Sequence, residues 1–342
     1  ELGTTSYGNP VVADGKVFVG TNNGNPRNAR VTGDKGVLMC FRESDGTFLW
    51  QAVTDKLEAD SDWPDEGVCS SPAIDGKRLY YVSNRGELVC LDTEGFLDGK
   101  NDGPFQDEAR KGPTDADVIW KLDMRADLGV YVHEQSPCSP ATDGKHVVAF
   151  FGSEGLYCYD FEGNQIWKKE FGVLDAGPPD ADELQWGFAS SPIIHDGKVI
   201  LFISVRNDSY LAALDVNDGK EIWKTPREPD PCWGTPTVYE SPTRSQVIVN
   251  GYKRIGGYDL KTGKELWWMQ GAGDIPVPTP IASDGLIFIT NAHGQASPIY
   301  AVKPTAVGDI TLKAGETSNA HIAWSYMRDG GYMQTPIVYG DL

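Results

Sequence analysis

The sequence contains no apolar run near the roughly 18 residues that a membrane-spanning helix needs. The N-terminus, E-L-G-T-T-S-Y-G-N-P, lacks the basic-then-apolar pattern of a signal peptide. A signal removed upstream fits equally well, since position 1 need not be the gene's start. None of the six cysteines (Cys40, Cys69, Cys90, Cys138, Cys158, Cys232) stands in C-x-x-C or C-x-x-C-H, and no two are adjacent. That excludes a zinc ribbon, a thioredoxin-like pair and a covalent c-type haem. Basic residues are scarce: 30 Lys and Arg face 49 Asp and Glu, a net charge of −19 that repels phosphate backbones and argues against nucleic acid as a partner. Convincing helical periodicity is also absent, although insertions have room for short helical turns.

What is present repeats. The 342 residues are 40% hydrophobic, enough for a sizeable core, and 39 Gly with 22 Pro imply many turns. All-β folds use such a length as one unit, and the expectation is a single domain over 1–342. G-T-F-L-W ends at Trp50, G-N-Q-I-W at Trp167, G-K-E-I-W at Trp223 and G-K-E-L-W at Trp267. A short apolar strand precedes each. Two looser copies end at Trp120 and Trp324 after long insertions. Between them a Pro opens an apolar pair or triplet that an Asp-Gly turn usually follows, at Pro10, Pro72, Pro140, Pro192 and Pro280. Pro236 and Pro336 open variants of the same segment. Pro192, Pro236 and Pro280 lie 44 residues apart.

Each repeat therefore reads as four strands. Asp-Gly between apolar runs suits two-residue hairpins with positive φ at both central positions. Four-stranded units of about 40–45 residues are propeller blades. The fold class expected is all-β: a β-propeller with about six complete antiparallel blades and a partial blade at each end, cut from a larger propeller. Trp50, Trp120, Trp167, Trp223, Trp267 and Trp324 are expected to fill the gaps between blades rather than stack on ligands. Burying one such side chain removes roughly 150–250 Å² from water.

The pattern A-x-D-x-x-T-G-x-x-x-W, matched here by G-G-Y-D-L-K-T-G-K-E-L-W and A-A-L-D-V-N-D-G-K-E-I-W, resembles the tryptophan-docking motif of the quinoprotein-like (PQQ-like) β-propellers. The resemblance covers nearly the whole chain and is specific for fold, not activity; similar members have seven or eight blades, and an eight-bladed parent is the preferred expectation. The family includes pyrroloquinoline-quinone alcohol and sugar dehydrogenases. It also includes non-catalytic propellers similar to the lipoprotein that helps assemble outer-membrane β-barrels. In the dehydrogenases the resemblance implies PQQ in a central channel, calcium held by Glu, Asn and Asp, and in many a disulfide of adjacent cysteines. This sequence has no Cys-Cys pair and no alignable calcium triad, so no catalytic residue is assigned.

Ligand binding is expected at the channel mouth, in the segments that lead into the first strands. They carry Glu66, His133, Glu134, Gln135, Trp186, Trp233, Tyr332 and Gln334. Aromatic walls with a few polar groups make a plausible pocket, to be weighed against mouth loops with no dedicated ligand. Cys40, Cys90 and Cys158 share one place in three repeats, where Ala212, Gly257 and Ala301 are aligned in the others. The position takes a small residue, and a buried thiol there acts as a small hydrophobe. The acidic insertion 97–117 fails as an EF-hand, because its twelfth place is Ala109. The functional expectation is a non-catalytic, periplasmic or otherwise exported bacterial scaffold that binds a protein or small ligand, with no cofactor. The alternative is a PQQ-dependent alcohol or sugar dehydrogenase, or a relative that binds quinone without turnover.

Overall fold

The computed structural model describes residues 2–56, 64–95, 118–123, 138–177, 187–271, 273–293 and 296–338. The chain divides into two compact units, Glu1–Val173 and Leu174–Leu342.

The first unit holds three four-stranded sheets. Sheet one is β1 (Val11–Ala13), β2 (Lys16–Asn22), β3 (Lys35–Arg42) and β4 (Phe48–Asp55). Sheet two is β5 (Ala73–Asp75), β6 (Arg78–Val82), β7 (Glu87–Asp92) and β8 (Val118–Asp123). Sheet three is β9 (Ala141–Thr142), β10 (Val147–Phe150), β11 (Leu156–Tyr159) and β12 (Gln165–Lys169). The second unit starts with sheet four: β13 (Ile193–His195), β14 (Lys198–Ile203), β15 (Tyr210–Asp215) and β16 (Glu221–Pro226). Sheet five is β17 (Thr237–Ser241), β18 (Arg244–Val249), β19 (Ile255–Asp259) and β20 (Glu265–Met269). Sheet six is β21 (Ile281–Ser283), β22 (Leu286–Thr290), β23 (Ile299–Val302) and β25 (Ile322–Tyr326). Within each sheet the strands pair antiparallel in chain order, and these are the blades of a β-propeller. One strand departs from the fourfold pattern. β24 (Gly308–Asp309), from the insertion before Trp324, adds to sheet five parallel to β20. The described residues contain no helix long and apolar enough to cross a membrane.

Turn chemistry explains the hairpins. Asp14-Gly15, Asp196-Gly197 and Asp284-Gly285 all have positive φ at both positions, as a tight I′ turn requires. The turns between third and fourth strands share another device. The Asp259 carboxylate accepts the Thr262 N–H at 2.8 Å, and Gly263, at φ +71°, returns its N–H to the Asp259 carbonyl. Asp160 and Asp215 cap their turns in the same way.

The Trp register is the same in every sheet. Cys40 pairs with Trp50, Cys90 with Trp120, Cys158 with Trp167, Gly257 with Trp267 and Ala301 with Trp324. In sheet four the partner of Trp223 is Ala213, not the Ala212 expected from sequence. In each case a bulge follows the small residue directly. The extra residue adds local twist and turns the indole out of the ladder plane.

Within each unit the cores lie between consecutive sheets. Phe18, Leu38, Cys40 and Trp50 pack on Val68, Leu79, Tyr81 and Leu91, while Ile200, Leu211 and Trp223 pack on Val247, Val249 and Tyr258. Three indoles donate to the backbone carbonyl just past the third strand of the following sheet: Trp50 to Thr93 (3.0 Å), Trp120 to Phe161 (2.8 Å) and Trp223 to Leu260 (3.1 Å). The turn glycine of that following sheet lies against the ring. A Cβ on Gly263 would fall 2.5 Å from the Trp223 ring, and one on Gly163 would fall 3.2 Å from Trp120. In sheet five the contact is relayed. Trp267 donates to Gln246 Oε1 at 2.8 Å, and Gln246 Nε2 donates to the Pro304 carbonyl at 2.9 Å. Trp324 is 44% exposed, since the described residues offer no seventh sheet to cover it.

All six cysteines are free thiols. Cys40, Cys90 and Cys158 are fully buried, and burial pushes each thiol up to about 12. A thiol so far from ionising is a packing group, not a nucleophile.

Candidate functional site

Antiparallel order puts the segments before the first strands and the loops between second and third strands at one end of each sheet. Glu66 and Trp233 sit in such segments, ahead of β5 and β17, while Tyr332 and Gln334 lie past β25. His133, Glu134, Gln135 and Trp186 lie outside the described residues.

In the first unit Asn22, fully buried at the end of β2, clamps two of these segments together. Its Oδ1 accepts the Thr4 N–H at 2.8 Å, and its Nδ2 donates to the Asp65 carbonyl at 2.5 Å. Glu66, half-buried, follows the clamped residue, and its carbonyl accepts Lys56 Nζ at 2.7 Å. Glu66 lies close enough to Tyr7 that, after partial burial, its charge helps raise the Tyr7 phenol.

The second unit brings more together. Trp233 is half-buried. Its indole donates to the Gly187 carbonyl at 3.3 Å and its backbone N–H to the Pro276 carbonyl at 3.1 Å, so it holds loops together. Tyr332 is 40% exposed and stacks on His293, ring centroids 5.4 Å apart. His293 Nδ1 meets Asp274 Oδ1 at 2.6 Å. Gln334 is exposed and its amide oxygen turns back toward the Met333 N–H at 3.4 Å. The structure thus joins Tyr332 to two residues that sequence reasoning missed. His293 takes φ +82°, uncommon for a residue other than glycine, a feature that the sequence N-A-H-G does not announce.

Beneath these groups the loops are tied by buried amides. Asn250 Nδ2 donates to the carbonyls of Pro278 (2.9 Å) and Thr290 (2.8 Å), and Asn291 Nδ2 donates to the Gly251 carbonyl at 3.2 Å. An Asn at or just past the second strand, at Asn22, Asn250 and Asn291, is the shared feature.

A charged cluster flanks them. Arg254 forks onto Glu265 at 2.9 and 2.6 Å and lies 4.1 Å over the Trp268 ring. Arg227 donates to the Tyr258 hydroxyl and to the Arg254 carbonyl. Lys253 pairs with the buried Asp230 at 2.7 Å. The space among Ser204, Arg227, Asp230 and Cys232 is about 10 Å³, room for one water at most.

Burial would raise the Glu265 carboxyl, but hydrogen bonds from Arg254 and Tyr258 and the Arg254 charge outweigh it, and the group sits below the usual glutamate range. A lowered folded pKa contributes stability that is complete above the unfolded value of about 4.3 and is lost as pH falls through the lowered one. Glu265→Gln is therefore expected to cost about 1–2 kcal/mol at neutral pH, given partial exposure, and to cost progressively less in acid. Urea midpoints of both proteins from neutral pH down to about pH 3 check this.

Among the described residues, no three His, Cys, Asp or Glu side chains come together as a metal site.

A family model described as outer membrane protein assembly factor BamB matches residues 111–341. No curated protein matches the chain by sequence. Among solved structures, BamB from Moraxella catarrhalis is similar at 13% identity and a TM-score of 0.57, over 95% of this chain and 78% of that one. The quinohemoprotein alcohol dehydrogenase from Comamonas testosteroni is similar at 11% identity and a TM-score of 0.60, over 96% of this chain and 62% of that one. A europium-containing methanol dehydrogenase is similar at 12% identity and a TM-score of 0.56, over 95% and 66%. The chain thus spans less than two thirds of either dehydrogenase. At such identities the likeness is one of fold.

Proposed function

The chain belongs to the PQQ-like propeller family whose model is described as outer membrane protein assembly factor BamB, and from that membership we propose that it is a non-catalytic binding scaffold of the bacterial cell envelope. Its partner is a protein, met at the end of the second unit that carries Tyr332 and Trp233. It works without a resident cofactor.

The observation that carries the reading is the contrast between frame and surface at that end. Buried Asn250 and Asn291 fix the loop backbones, while Tyr332, His293 and Asp274 stand half-exposed on them. A preorganised aromatic with a polar neighbour suits recognition, because little ordering entropy is lost on contact. The location in the envelope, and more specifically the periplasm, draws support from the family description and from the Moraxella neighbour.

A photo-crosslinking residue at Tyr332 tests the proposal against one at Asp218, in the turn at the opposite end of sheet four. Capture of one defined envelope protein from position 332 and none from 218 is the expected result. Equal capture from both positions counts against it. So does dye-linked alcohol or sugar oxidation once PQQ and calcium are added, which would favour the dehydrogenase reading.

A further inference from the structure

Among the described residues, every sheet but the fifth ends at its fourth strand. Residues 303–321 form an arm that leaves sheet six, runs beside β20 as β24, and returns to β25. It meets the outer edge of β20 with matched groups. Trp267 lies opposite Gly308 and Trp268 opposite Asp309, in parallel register. The Trp268 carbonyl accepts the Ile310 N–H at 2.9 Å, and the Gln270 N–H donates to Thr311 Oγ1 at 3.1 Å. A bare edge strand would offer such groups to another chain. The arm is anchored on both sides of β24. Arg244 Nη1 donates to the carbonyls of Pro304 and Ala306, each at 2.8 Å. Ala306 and Ile310 are buried in one core with Trp267. Asn319 Nδ2 donates to the Ile310 carbonyl at 2.9 Å, and Ser325 Oγ to the Thr317 carbonyl at 3.0 Å.

The outer strands differ at the residue that follows the repeat tryptophan. Sheets two, three and four carry Lys121, Lys168 and Lys224 there, and β16 also ends in Pro226. Lysine and proline on an edge strand discourage pairing with another chain. Sheets one and six carry the polar Gln51 and Ser325. Sheet five alone has an apolar residue, Trp268. Its outer strand, E-L-W-W-M, is rich in residues that favour a β-sheet and contains no proline. The one charge on it, Glu265, is taken up by Arg254 at 2.6 Å. Left bare, β20 would be the most pairing-prone of the six outer strands, and it is the one that β24 covers.

We propose that the arm is an edge guard: it fills the pairing edge of β20 and so keeps that strand from adding to β20 of a second copy of this chain. A second copy is the partner excluded because both chains would present the same apolar strand. Two like edges pair antiparallel about a twofold axis, so the assembly closes at two chains. The guard does not depend on the reading given for the Tyr332 surface.

The test shortens the arm in the full chain. Residues 305–321 are replaced by N-D-G-K, the turn that sheet four carries at 217–220. Molar mass is followed by light scattering over about a hundredfold range of concentration. Salt is held at about 0.15 M, which screens the chain's self-repulsion beyond about 8 Å. The parent mass is expected to stay constant, and that of the shortened chain to rise toward twice the parent value. Adding Trp268→Lys, the residue type that three other sheets carry, is expected to return the shortened chain to the parent mass. Arg244→Ala combined with Asn319→Ala loosens the arm while leaving Ala306 and Ile310 in the core, and it carries the test if the shortened chain does not fold. A smaller rise is expected there, again removed by Trp268→Lys. Folded variants that keep the parent mass overturn the proposal. So does a rise that Trp268→Lys leaves undiminished, or a parent whose mass rises as much as that of its variants.

Discussion

Replacing Trp267 by Ala is expected to destabilise the second unit by about 3–5 kcal/mol, the range for deleting a fully buried aromatic. Trp267 is 0% exposed and sits in one core with Ile248, Ile287, Val302 and Ile310, from two sheets and the arm. Removing it does more than open a void. Gln246, also 0% exposed, loses the donor to its Oε1 while its Nε2 still holds Pro304. That orphaned acceptor adds desolvation cost. Trp324→Ala provides the contrast. Its indole is 44% exposed and leans on Phe288 alone among the described aromatic rings, with centroids 5.9 Å apart, so about 1 kcal/mol or less is expected. Urea midpoints of the two variants decide the matter. Equal losses would mean that burial does not set the worth of these tryptophans.

The sequence pattern carried most of the fold because three independent signals share one period. Asp-Gly marks the first hairpin, the capped Asp with its following Gly marks the third, and the Trp fixes the register of the fourth strand. Asp14-Gly15 and Asp259 through Gly263 take the backbone shapes those residue types favour. Two things escaped. Ala212 was aligned where Ala213 belongs, because the strand is apolar on both faces and alternation gives no phase; only pairing with Trp223 settles it. β24 was invisible because two residues, Gly308 and Asp309, have no periodicity.

The site was less legible than the fold. Trp233 precedes β17, whereas no strand follows Tyr332 among the described residues. What sits next to Tyr332 comes from residues 274 and 293, and no local pattern joins those numbers. Contacts between loops depend on how two sheets pack, which a repeat motif does not encode. The Asn latches were legible in principle as T-N-N-G, V-N-G and T-N-A-H, but an Asn near a glycine is also a common turn residue.

Gly257→Val is expected to cost at least about 3 kcal/mol, more than any other substitution at the position facing a repeat tryptophan. The other five sheets carry Cys or Ala there, so a Cβ is ordinarily tolerated. Sheet five differs because its indole bonds to Gln246 inside its own sheet rather than to the next one. A Cβ on Gly257 would overlap the Trp267 Nε1 outright and would lie 2.8 Å from Gln246 Oε1. Gly257 is not among the residues with positive φ, so the cost is steric and not conformational. A double-mutant cycle separates these causes. In a Trp267→Leu background the clash partner is gone, and Gly257→Ala should then cost only a few tenths of a kcal/mol, against about 1–3 in the parent. An undiminished penalty in that background would place the constraint in the backbone. A vanished one would show that Gly257, Gln246 and Trp267 form a single packing unit, in which the glycine makes room for the relay to Pro304.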